Sequence, residues 1–234
     1  MNRILSAIRL DFLSGRGYLV MTAGISLVGL LIGSLTQMPI FAVILTVVLG
    51  VFGAGGVFAV QEKNHGDKLY GTLPLRRREM ILGRYLYALA IGLGATVLAG
   101  LFGYLAAHFS GASIGSLGPK RGSLTADLGG DAVVFWAAVG LAFAYFCFAV
   151  CVAFPIYLRF GFSKAYVLTM LPLYLLVLAA LLVTRSLDLQ LSLDKATFFY
   201  QHPLVLPILG LVAGLGLLSL SWPIATAIYS HKEI

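Results

Sequence analysis

Cys147 and Cys151 stand four residues apart, a spacing that puts both thiols on one face of a helix. A metal there would need further ligands, and no histidine or acid accompanies the pair at helical spacing, so the thiols read as packing residues. His108 and His202 border long apolar stretches and read as interfacial residues rather than catalysts. No serine sits in a GxSxG elbow with His and Asp partners beside it. The phosphate-cradling pattern, GxxxxGK followed by Ser or Thr, does not occur, and GPKRGS at 118–123 has neither its spacing nor a preceding strand. Energetic work done by this chain would therefore draw on another chain.

The polar residues concentrate in QEKNHGDKLYGTLPLRRREMILGRY, residues 61–85. A plain solvated loop has no need of Leu69, Tyr70, Leu73, Leu75 and Met80 among its charges. From Lys63 to Leu73 the pattern fits a short amphipathic helix with Leu69, Tyr70 and Leu73 on one side, which Pro74 ends. Apolar knobs ringed by charge suit docking to a soluble partner. A polybasic patch on anionic headgroups is the alternative; Arg76, Arg77 and Arg78 serve it, and Glu62, Asp67 and Glu79 dilute it.

The elements that must carry this loop follow from composition. Of the 234 residues 60% are hydrophobic and 11% charged, against about a quarter charged in soluble domains. The charges leave long stretches empty: between Arg16 and Glu62, Arg84 and Lys120, Asp131 and Arg159, Lys164 and Arg185, and Lys195 and Lys232. A crossing takes about 20 apolar residues. The first stretch is broken by Ser34, Thr36, Gln37 and Pro39, so the chain is expected to be an all-α integral membrane protein with six transmembrane helices, near 18–35, 40–60, 82–107, 132–156, 165–184 and 204–229. No Asp, Glu, Lys or Arg is expected inside a span, which argues against ion-coupled transport and intramembrane acid catalysis. Residues 3–14 place Ile4, Ile8 and Phe12 along one stripe, with Arg3, Arg9 and Asp11 mostly away from it. That suits an N-terminal interfacial helix; a polar leader that merely orients the first span is the alternative. No cleavable signal peptide is expected, since the first long apolar run starts near Tyr18 without a cleavage pattern after it.

Six spans put both termini on one side. The segments on that side hold 12 of the 16 basic residues, so both termini are expected in the cytoplasm and the protein in the inner (cytoplasmic) membrane. Those segments balance to +7 and the outward ones to zero, so the whole net charge of +7 is a topology signal and nucleic acid drops out as a partner. Among the glycines, Gly29 with Gly33 and Gly210 with Gly214 form GxxxG pairs, and Gly50, Gly53, Gly55 and Gly56 crowd the second span. They serve either packing within one bundle or a surface that slides or dimerises. Outside, Leu187, Leu189, Leu191 and Leu193 alternate with polar residues, as a short extended segment or an interfacial loop.

Two opening spans, a Glu with a basic neighbour, a Gly soon after, and a Leu-Pro followed by Arg before the third span together resemble the permease subunit of type-2 ATP-binding-cassette exporters. The likeness is closest to the short branch that includes permeases of phenol-soluble-modulin and antimicrobial-peptide exporters. Glu62, Lys63, Gly66, Leu69, Thr72, Leu73, Pro74, Arg77, Gly83, Arg84 and Tyr85 carry it. The resemblance implies a second permease copy, identical or not, and separate ATPase subunits that hold ATP and Mg, with no cofactor in this chain. It also implies a coupling helix in the loop at 61–81, where Glu62, Lys63, Gly66, Asp67, Leu69, Tyr70, Leu73, Pro74 and Arg77 would meet the ATPase. A smaller contact is implied at YLRFGFSKA, 157–165, through Arg159 and Lys164. The family's larger relatives have a sizeable extracellular domain, whereas the outward loops here, 108–131 and 185–203, are short. Export of a hydrophobic or amphipathic substrate, a peptide first of all, is the expected function, and the chain itself is not expected to be an enzyme. The rivals are a membrane scaffold or immunity protein using the same loop without transport, and a small secondary transporter.

Overall fold

The computed structural model describes residues 3–37, 39–64, 77–110, 131–169 and 205–230, and every element among them is a helix. These are α1 (Arg3–Leu35), α2 (Pro39–Lys63), α3 (Arg77–Ser110), α4 (Asp131–Phe160), α5 (Phe162–Thr169) and α6 (Val205–Ser230). Five of them are long and apolar enough to cross a bilayer. They cover the first, second, third, fourth and sixth expected spans. The fifth, 165–184, starts within α5, and its remainder lies outside the described residues.

The break between the first two spans falls where the polar residues place it. Thr36 and Gln37 form the turn, Gln37 in the left-handed region at φ 56°, and Pro39 opens α2. Proline suits that first position because its missing N–H would have no helical partner there. At the start of the chain the structure differs from expectation. The helix runs unbroken from Arg3 to Leu35, so residues 3–14 and the first expected span form one continuous helix. Its packed face differs too: Ala7, Asp11 and Gly15 are buried, while Phe12 and Leu13 are exposed. In lipid, large apolar side chains gain little by turning inward, and small or polar faces do the packing.

α2 and α3 form the middle of the bundle. α1 packs on both from one flank, and α6 packs on α4 and α3 from the other. The outer faces of α1 (Val20, Leu31) and α6 (Val212, Leu220) are left exposed. Several glycines serve contact within this chain. A Cβ on Gly140 of α4 would lie 2.4 Å from Pro207 Cα of α6, and one on Gly210 would lie 2.5 Å from the Gly140 carbonyl oxygen. A Cβ on Gly29 would meet Leu45 at 2.8 Å, one on Gly214 the Cys147 sulfur at 2.9 Å, and one on Gly56 the Tyr18 ring at 2.4 Å. Gly210 at the start of α6 thus packs beside the early part of α4, while Tyr229 at its finish shares a cavity with Phe58 and Arg84. α4 therefore ends, and α6 begins, at opposite ends of the bundle.

Candidate functional site

α1 starts, α2 ends, α3 starts, α4 ends and α6 ends on one side of the bundle, the side that carries the charges. The sharpest geometry there is the elbow between α4 and α5. Gly161 takes φ +82°, a conformation that side chains with a Cβ rarely adopt. Its N–H donates to the Tyr157 carbonyl at 2.9 Å, closing the end of α4, and its own carbonyl accepts from the Ala165 N–H at 3.3 Å, opening α5. One glycine thus ends one helix and opens the next. It has no side chain with which to satisfy the first free N–H groups of α5.

Glu62, in the last turn of α2, supplies what Gly161 lacks. The Ser163 backbone N–H donates to Glu62 Oε2 at 2.9 Å, and the Ser163 hydroxyl donates to Glu62 Oε1. The apolar run of α2 ends at Val60, so this carboxylate stands beyond the span. The Ser163 hydroxyl first, and then its backbone N–H, hold the Glu62 carboxyl below the usual carboxylate range, with smaller help from the Phe162 amide and Lys164.

One residue earlier, Gln61 faces into the bundle. Its Oε1 accepts from Arg84 Nη2 at 2.5 Å, and the Arg84 guanidinium lies 4.9 Å from the Phe58 ring centroid. Arg84 is only 3% exposed and Asp11 only 1%. Arg84 corrects the expectation that no charge lies inside a span, and Asp11, which the sequence set mostly away from the packed stripe of 3–14, is buried as well. Arg84 falls within the expected third span, and its cost of burial is offset by an amide acceptor and an aromatic face. Around it, Phe58 meets Phe154 edge-on at 4.9 Å and Tyr157 at 5.4 Å, and Tyr157 meets Phe162 at 5.0 Å. A cavity of about 70 Å³ lies among Phe58, Gln61, Glu62, Arg84, Tyr157 and Tyr229.

A second polar connection runs deeper. Pro155 lies inside α4 and has no N–H, so the Cys151 carbonyl one turn earlier loses its helical donor. Ser221 of α6 replaces it, its hydroxyl donating to that carbonyl at 2.9 Å. Since the serine proton is used there, the Tyr85 hydroxyl is the donor in its 2.7 Å contact with Ser221 Oγ. The Cys151 thiol donates to the Leu217 carbonyl at 3.4 Å, and Cys147 is fully buried, so both cysteines pack as expected. Two positions along α3, the buried Tyr87 hydroxyl has no hydrogen-bond partner among the described residues.

Of the residues expected to meet a partner, Glu62 is engaged by Ser163, and Lys63 and Lys164 are exposed on the same end. Arg159 is exposed with its guanidinium 5.3 Å from the Phe160 ring, and Arg77 is the first residue of α3. Gly66, Asp67, Leu69, Tyr70, Leu73 and Pro74, and with them the expected coupling helix, lie outside the described residues. The structure joins the end of α2 to the elbow of 157–165, which the sequence placed as two separate contacts. Ser163, Gln61 and Ser221 were not singled out from sequence; a proline four residues after a carbonyl in an apolar helix is the signal that could have prompted a search for Ser221. Among the described residues no group of three His, Cys, Asp or Glu could hold a metal, and His108 is exposed at the end of α3.

Residues 8–230 match the family described as ABC-2 family transporter protein. No curated protein and no solved structure matches the chain.

Proposed function

The chain belongs to the ABC-2 family of transporter proteins, multi-pass membrane permeases, and on that premise we propose that it is the membrane half of an ATP-driven exporter of hydrophobic or amphipathic substrates, peptides above all. The family match across residues 8–230 is the observation that carries this reading. ATP and Mg belong to separate ATPase subunits, whose motion enters through the loop at 61–81. In support, α2 and α3 bring Lys63, Arg78 and Glu79 to one end of the bundle, beside the elbow that carries Arg159 and Lys164.

The substrate class follows from the wall chemistry. Asp11 and Arg84 are both at the charged end, so the middle of each long helix offers apolar and aromatic side chains and no charge. Such a path suits amphipathic chains better than ions or sugars. It would lie between this chain and a second copy, the two halves rocking between arrangements open to opposite sides. A sixth crossing at 165–184 is supported by the placement of the end of α4 and the start of α6 at opposite ends of the bundle. The basic excess on the charged end supports a cytoplasmic place for that end and both termini, in an inner membrane. Replacing Leu69 and Leu73 together by Asp should abolish co-purification of the ATPase; a complex that survives both changes would contradict docking through this loop.

A further inference from the structure

Resting on that reading, we propose that Glu62 is a positioning residue: it caps α5 from α2 and so makes the connection after α2 and the elbow at Gly161 move as one body when the ATPase pulls. Three observations meet at this point. The left-handed φ of Gly161 requires a residue without a Cβ, and this leaves α5 with no cap of its own. Glu62 supplies two acceptor oxygens to Ser163, one to its backbone N–H and one to its hydroxyl. A negative group at a helix N-terminus also meets the positive end of the helix dipole. Glu62 and Lys63 are the last residues of α2 before the loop, so the cap sits where a pull on that loop first reaches the bundle.

Packing makes the join stiff. Tyr157, one turn before the elbow, and Phe162, one residue after it, pack ring against ring at a tilt, and Tyr157 also lies against Phe58 one turn before Glu62. A Cβ on Gly55 would stand 3.4 Å from the Tyr157 ring, so the last two turns of α2 and the elbow are in contact on two levels. A displacement of the α2 terminus is thus passed to the end of α4 and to α5 together.

The test is hydrogen–deuterium exchange followed by mass spectrometry on the full chain in nanodiscs, alone and with its ATPase. In the chain alone, Glu62→Ala should speed exchange of peptides covering 161–169 by about fivefold, the usual worth of a helix cap. Peptides within α3 should not change. Glu62→Gln keeps an acceptor for the Ser163 N–H and should have the smaller effect, as should Ser163→Ala, which keeps that N–H. Exchange at 161–169 that is the same in Glu62→Ala as in the unaltered chain would overturn the cap. With the ATPase bound, ATP and vanadate should change exchange at both 77–85 and 161–169 in the unaltered chain. In Glu62→Ala only the change at 77–85 should persist; an intact response at 161–169 would overturn the transmission step. Failure of the ATPase to bind the unaltered chain would count against the proposed function instead, and exchange in the chain alone would still decide the cap.

Discussion

Two tyrosines on α3 show how strongly position decides the worth of a polar atom in a packed membrane helix. Tyr85 donates to Ser221, and Ser221 in turn serves the carbonyl that Pro155 leaves open. Tyr85→Phe should lower stability by about 1 kcal/mol, and Ser221→Ala by somewhat more, since a buried carbonyl then has no donor. The Tyr87 hydroxyl is buried with no hydrogen-bond partner among the described residues, so Tyr87→Phe should be neutral or stabilising by up to about 1 kcal/mol. Apparent melting temperatures in detergent, read by fluorescence-detected size exclusion, order the three variants. Arg84 is the most demanding case. Arg84→Ala leaves Gln61 Oε1 without its donor and Phe58 without its cation, at a cost of about 2–3 kcal/mol by the same measurement. Its role was partly legible in the sequence as the last charge before an apolar run. Its partner was not, because Gln61 is 23 positions away and only the antiparallel packing of α2 on α3 brings the two together.

At the scale of elements, the helices follow their apolar stretches closely, since bilayer thickness and charge avoidance act on the sequence directly. The α1–α2 turn and the start of α6 were legible for that reason. The unbroken α1 was not: Arg3, Arg9 and Asp11 set residues 3–14 apart from the apolar run that follows, yet the helix continues through Gly15, which is small because the Tyr87 hydroxyl stands where its Cβ would be, 2.5 Å away. Glycines that look alike in sequence should therefore respond differently to a methyl group. Gly140→Ala would drive a Cβ to 2.4 Å from the Pro207 backbone and should separate α4 from α6, costing about 1–3 kcal/mol. Gly24→Ala meets nothing within 4 Å and should be neutral or stabilising, by up to about 1 kcal/mol, because alanine is the better helix former. The same thermal assay compares them, and a Gly140→Ala protein as stable as Gly24→Ala would contradict the close α4–α6 approach. The GxxxG pairs in the sequence left packing and dimerisation open; contacts of Gly29 with Leu45 and of Gly210 with Gly140 assign these glycines to packing within the chain.

For the whole molecule, the distribution of charge was the most informative feature of the sequence, because the long charge-free stretches announced the membrane-crossing helices. What it could not announce was that the end of α2 is joined to the elbow between α4 and α5, since Glu62 and Ser163 are 101 residues apart and their meeting depends on a glycine elbow. In the proposed function, ATP hydrolysis on a partner moves an amphipathic chain through this permease. The direct measurement is ATP-dependent uptake into inside-out proteoliposomes holding this chain and its ATPase, with a fluorescent amphipathic helical peptide and a labelled neutral sugar as competing probes. The peptide should accumulate and stimulate hydrolysis, and both effects should vanish with the Leu69→Asp, Leu73→Asp pair. Accumulation and stimulation by the sugar alone would contradict it.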